Sequence, residues 1–323
     1  MRRLIVFLSI LCVVVSAGWW TVVQPFVSPQ PSVPPPVDER ALQRHVQRLS
    51  VDFHPRSVEQ PRQLARAADY IEALLRESGG AVQVQALRTD RGVFRNLVAR
   101  FGPSGGAPLV IGAHYDSHGS VTPGADDNAS GVAGLLELAR MLGRAPPQQP
   151  VELVAYTLEE PPYFRSEDMG SAWHARSLRA EGREPWLMLA LEMIGRYADR
   201  PGSQDYPVPG MARLYGDRGD FIALVGRLEH VGLMRRVKGV MSGATVLPVR
   251  SINAPAWLEG VDYSDHLSYW HLGMPALMLT DTAFLRNHDY HGPGDTWDAL
   301  DYTRMAQAVQ AVYALAQSPS TSE

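Results

Sequence analysis

The chain of 323 residues carries a net charge of −4, and 45% of its residues are hydrophobic. That length allows one large core or two modest ones, and the composition excludes general disorder. The charge gives no sign of a nucleic-acid partner. The single cysteine, Cys12, rules out an intrachain disulfide and a thiolate metal site, leaving His, Asp and Glu as candidate ligands.

The first element is an address. "MRR" precedes the uncharged "LIVFLSILCVVVSAGWWTVV" (4–23), about the length a helix needs to cross a bilayer. Arg2 and Arg3 hold the N-terminus inside, so the remainder faces outward. "VSA" at 15–17 resembles a small-residue cleavage site, whereas Trp19 and Trp20 suit a membrane interface. The expectation is an exported protein held by an uncleaved inner-membrane anchor (1–24) and facing the periplasm or exterior. A cleaved signal peptide and a soluble secreted form are the alternative. Residues 25–39, rich in proline, read as a stiff spacer. The folded domain is expected over 40–318, with 319–323 a disordered tail.

Within the domain, Leu64, Ala68, Ile71 and Leu75 lie at helical spacing over 60–78, and Gly79-Gly80 stops that helix. "VQVQAL" (82–87) and "NLVARF" (96–101) alternate like strands. Four short apolar runs follow: "PLVIGA" (108–113), "VELVAYTL" (151–158), "WLMLALEMI" (186–194) and "PALMLT" (275–280). Such runs suit buried strands covered on both faces. Between the first two, Val132, Leu135, Leu136, Ala139 and Leu142 form one helical face, and 302–317 repeats the pattern. This predicts a three-layer α/β/α domain with a central mixed, mostly parallel sheet. Segments 161–170 and 199–220 lack a period and read equally as lids or as surface excursions.

Polar residues gather where these strands end. "PLVIGA" runs into His114-Tyr115-Asp116, "VELVAYTL" into Glu159-Glu160, and "WLMLALEM" carries Glu192; "NHDYHGPGDTWD" (287–298) adds His288 and His291. Open α/β sheets bind ligands beyond the carboxyl ends of their strands. The nonapeptide "PGADDNASG" (123–131) sets Asp126 and Asp127 side by side just before a helix. A divalent cation turns such neighbours from a cost into ligands, and a capping turn is the plainer alternative. Taken singly, each group has an ordinary reading: a satisfied core histidine at 114, a solvated strand end at 159–160, or a Glu192–Arg196 ion pair. Together they place enough negative charge at one edge to require a cation, and zinc accepts this donor set.

The order "HYD", "GADDNASG", "EE", "EMIG", "YHGPGDT", together with "SDHLSYWHLGMPAL" (264–277), resembles the exported zinc exopeptidases that include bacterial leucyl aminopeptidases and glutaminyl cyclases. The resemblance spans roughly 40–317. It implies that Asp127 bridges two zinc ions, with His114 and Glu192 completing one site and Glu160 and His291 the other. It makes Glu159 the general base and Asp116 the partner that orients the His114 ring. It also implies a cis peptide between Asp127 and Asn128. Peptides with a free N-terminus are then the substrates. Where many relatives carry aspartate this chain has Glu192, and "PPYFRSEDM" separates the Glu-Glu pair from Gly170-Ser171, a spacer like that of the cyclases. A single-zinc glutaminyl cyclase is therefore the rival enzyme, and a catalytically silent binding ectodomain the rival of another class. Tyr263 lies near where the carbonyl-polarising tyrosine is expected; Asp265 and His266 suit both enzyme branches.

Overall fold

The computed structural model describes residues 2–319, so most of the predicted tail lies outside the described residues. In chain order the larger elements are α1 (Arg2–Val23), α2 (Glu39–Gln47), α3 (Pro61–Glu77), β1 (Ala81–Thr89), β2 (Gly92–Phe101), β3 (Leu109–His114), α4 (Gly131–Arg144), β4 (Val151–Tyr156), α5 (Gly170–Ala180) and β5 (Leu187–Glu192). They continue with α6 (Ala212–Tyr215), β6 (Ile222–Gly226), α7 (Val231–Ala244), β7 (Val249–Asn253), α8 (His266–His271), β8 (Ala276–Thr280) and α9 (Tyr302–Gln317).

The strands form one sheet in the order β1-β2-β4-β3-β5-β8-β6-β7. Its centre, β4-β3-β5-β8, is parallel, while β1–β2, β2–β4 and β6–β8 pair antiparallel. The apolar runs read from the sequence supply that centre, and each of its four strands is buried along its whole length. Alternate residues serve opposite faces. Leu109 and Ile111 join the larger core under α2, α3, α4, α7 and α9, whereas Val110 joins the smaller one under α5 and α8. The expected three layers are present. Strands β6 and β7 and helices α2, α5, α6, α7 and α8 are additions to the elements read from the sequence.

The chain around residues 24–32 does not stand clear of the domain. Gln24 is fully buried and its Nε2 donates to Asn253 Oδ1 (3.0 Å). Lys238 Nζ donates to Gln24 O (2.9 Å), Val23 O (3.3 Å) and Ser251 Oγ (3.1 Å). Arg235 lies over the Trp20 ring, 4.6 Å from its centroid. Further along, Gln30 N and Ser32 N donate to Gly239 O and Gly243 O of α7. A side chain at Gly243 would overlap Gln30 O, so the close approach requires glycine there. The proline-rich stretch thus lies along α7 as a strap.

Candidate active site

Strand ends deliver the site's donors. His114 closes β3 and Glu192 closes β5. Beyond β4 the chain turns through Leu158, whose φ is +62°, so Glu159 and Glu160 leave strand geometry and need not point to opposite faces. Asp127 sits in the tight turn that leads into α4, and His291 in the loop after β8. The Asp127–Asn128 peptide is cis, as the resemblance implied.

That turn is held from several sides. Asp295 accepts the amides of Asp126 (3.0 Å) and Asp127 (3.1 Å). Asn128 Oδ1 accepts from Gly131 N and Met193 N, and its Nδ2 donates to Leu191 O, which fastens the turn to the end of β5. The fully buried Arg56 spends its guanidinium on four carbonyls, those of Tyr115, Leu49, Pro123 and Gly124. Asp126 is buried as well, but its Oδ1 accepts from Gly195 N (3.0 Å), so this aspartate is spent on the scaffold.

The remaining donors converge. His114 Nε2 lies 3.4 Å from both Asp127 Oδ1 and Glu192 Oε2. His291 Nε2 lies 3.2 Å from Asp127 Oδ2 and 3.4 Å from Glu160 Oε2. Ligand atoms about 2.0–2.2 Å from a tetrahedral zinc are roughly 3.3–3.6 Å apart, so both groups have the spacing of a coordination shell. The two oxygens of Asp127 face different histidines. Glu159 Oε2 stands 3.8 Å from His114 Nε2.

The ordinary readings fail one by one. Neither ring nitrogen of His114 has a hydrogen-bond partner, although the ring is buried, and Asp127 Oδ2 and Glu160 Oε1 are likewise buried without one. Glu159 and Glu160 are only 6% and 4% exposed. Arg196 pairs with Asp289 (3.1 Å). His288 is exposed beside Asp205, away from the cluster. Asp116 lies 3.5 Å from His114 Nδ1, long for a hydrogen bond, while its carboxylate accepts the amides of Glu159 (3.2 Å) and Glu160 (3.0 Å). Its contacts therefore fix the glutamate pair more firmly than the imidazole.

Electrostatics point the same way. Burial, reinforced by Glu192 and Glu160, pushes the Glu159 carboxyl well up, and burial with Asp127 pushes Glu160 up to about 8. Burial opposes charging of His114, yet Glu159 and Glu192 raise it well above the ordinary imidazole value; His291 is pushed up to about 10 by Asp127 and Glu160 against its burial. Acids that resist ionising beside imidazoles that resist neutralising mark uncompensated negative charge, which a bound cation relieves. The residues present fit a metal.

Several neighbours escaped sequence reading. His118 stacks on His291 (ring centroids 3.9 Å) and groups with Glu160 and His291 as a further potential donor. Ser264 Oγ donates to Glu192 Oε2 (2.7 Å), and Tyr290 stacks on His291 from 3.8 Å. Asp265 is buried with both oxygens unpartnered, and burial pushes it up to about 7. Only its setting in "SDH" marked it. A cavity of about 90 Å³ opens beside Glu192, Tyr263 and Tyr290, and segment 199–220 closes it with Tyr206, Met211 and Tyr215. In the other irregular segment Tyr163 is buried near Phe94, and Phe164 meets Tyr263 edge-on.

The profile of Peptidase family M28 matches residues 96–220, which hold every donor except His291. "Uncharacterized protein YfbL" of Escherichia coli (strain K12) is 50% identical across 90% of this chain and 92% of that protein. The chain belongs to peptidase family M28. It is also 26% identical to Leucine aminopeptidase 1 of Coccidioides posadasii (strain C735), over 77% of this chain and 62% of that protein. In fold it resembles a Bacteroides thetaiotaomicron glutaminyl cyclase, with a TM-score of 0.67 at 17% identity over 88% of this chain and 99% of that one. An M28 chain with this donor set is a peptidase by family and carries candidate metal-binding groups.

Proposed function

We propose that this M28 chain is an aminopeptidase that releases N-terminal residues from peptides at a dinuclear zinc centre. The carrying observation is Asp127, whose Oδ1 and Oδ2 each face a separate histidine at coordination spacing. His114, Asp127 and Glu192 would hold one zinc, and Asp127, Glu160 and His291 the other. Zinc held there supplies a Lewis acid for the scissile carbonyl and makes water a better nucleophile at neutral pH. Glu159 lies beside the donors without completing either group; its carboxylate takes the proton from the attacking water and returns it to the leaving amine. Asp116 keeps Glu159 and Glu160 in their separate directions by holding both amides. Ser264 restrains the longer arm of Glu192. Short peptides with a free amino group should lose their first residue, and N-acetylation should block the reaction. The spacer 161–169 favours the rival reading. Pyroglutamate formed from glutaminyl peptides, with one zinc per chain and no amino acid released, would decide for it.

We also propose that α1 is retained as a membrane anchor. It runs unbroken through residues 15–17, its window Val6–Val23 is apolar enough to cross a membrane, and Val6, Phe7, Leu8, Ile10, Leu11 and Val13 are exposed. The expected preparation is a membrane-bound protein with its original N-terminus, resistant to carbonate extraction. A soluble protein beginning at Gly18 would sink this assignment.

A further inference from the structure

The cavity beside Glu192 has a floor set by strand register. Glu192 on β5 pairs with Thr280 on β8, Thr280 with Ala223 on β6, and Ala223 with Arg250 on β7. Paired residues share a sheet face, so these four side chains form one row across four strands. Three strand spacings put the Cα atoms of Glu192 and Arg250 about 14 Å apart. Thr280 and Ala223 between them are short and leave the cavity open, while Glu192 and Arg250 stand at its two ends; all four line it. The metal-facing carboxylate thus occupies one end and a guanidinium the other.

Arg250 is not spent on the scaffold. Among the described residues no carboxylate pairs with it, and its Nε is buried with no hydrogen-bond partner. Its guanidinium is held over the Phe221 ring, 5.0 Å from the centroid. Burial, helped by Arg250 and Arg235, lowers the nearby Lys238 to about 8. The one carboxylate on the rim besides Glu192, that of Glu259, belongs to an exposed residue. The walls between the ends, including Met211, Phe221, Ile252 and Phe284, are apolar.

We infer that Arg250 reads the far end of the substrate's first side chain and makes the enzyme select acidic N-terminal residues, glutamate before the others. This rests on the aminopeptidase reading and goes further by naming the substrate class. A first residue bound with its amine and carbonyl beside Glu192 sends its side chain along the row. An aliphatic chain that ends at Arg250 covers a guanidinium without pairing it. A carboxylate there accepts paired N–H bonds and neutralises the charge. Sites built around such a donor reject analogues that lack the acceptor far more strongly than apolar pockets reject a missing methylene.

The test uses the zinc-loaded full chain and peptides identical except for the first residue: Glu, Asp, Gln, Met or Leu. Glu peptides should exceed Leu peptides at least tenfold in kcat/KM, and free glutamate should inhibit more tightly than free leucine. Arg250→Met should lower the Glu-to-Leu ratio at least tenfold, and Arg250→Lys should restore part of it, with circular dichroism and zinc content verifying both variants. Preference for Leu in the parent chain, or an unchanged ratio in Arg250→Met, overturns the inference while leaving the aminopeptidase reading in place. Absence of release from every peptide overturns that reading itself, and the inference with it.

Discussion

Glu159→Gln should abolish turnover, by about 10²–10⁴-fold in kcat, and leave the metal content of the chain nearly intact. The amide fills the same space but cannot accept a proton. The distances separate this residue from its neighbour: Glu159 lies 3.8 Å from His114 Nε2, outside both donor groups, whereas Glu160 Oε2 is 3.4 Å from His291 Nε2 and belongs to one of them. Glu160→Gln should therefore lose zinc as well as activity. The measurement is metal analysis alongside steady-state kinetics on both variants. Equal zinc loss in the two would show the roles to be wrongly divided.

Metal removal should have the other large effect. With zinc in thousandfold excess over its dissociation constant, binding to the folded state alone contributes about 4 kcal/mol of stability. Chelation should abolish activity, lower the melting temperature and leave unrelieved the burial and carboxylate repulsion that together drive Glu159 and Glu160 upward. About two zinc ions per chain should return on reloading. Asp127→Asn should weaken both sites, because the two oxygens face different donor groups, while His291→Ala should weaken one. A fully loaded Asp127→Asn chain with normal activity would remove the bridging role.

Why some parts of the molecule were readable and others were not follows from where their signals lie. The central strands are continuous apolar runs buried on both faces, so each announces itself locally, and the acidic and imidazole groups at their ends follow from the architecture. Strand β6, "IALVG", is just as apolar but sits among Gly, Asp and Arg residues that mask its limits, and the glycines of α7 weaken its helical pattern. His118 carries no local mark at all: its place against His291 depends on two loops far apart in sequence. The division of labour between Asp126 and Asp127 was also beyond local pattern. It is decided by Gly195 N, which occupies one aspartate, and by the histidines that face the other.

The strap along α7 changes what an anchor means for such an enzyme. Fifteen flexible residues would act as a leash, with an end-to-end distance of roughly 20 Å, letting the domain swing and tumble above the lipid. Here Gln30 and Ser32 are tied to α7, and Gln24 is tied to the strand that carries Arg250. With α1 in a bilayer, the mouth of the cavity stays at a fixed height and tilt over the surface. So anchored, the proposed aminopeptidase would not forage; it would graze one thin layer, and peptides would have to enter that layer in the right orientation to be trimmed.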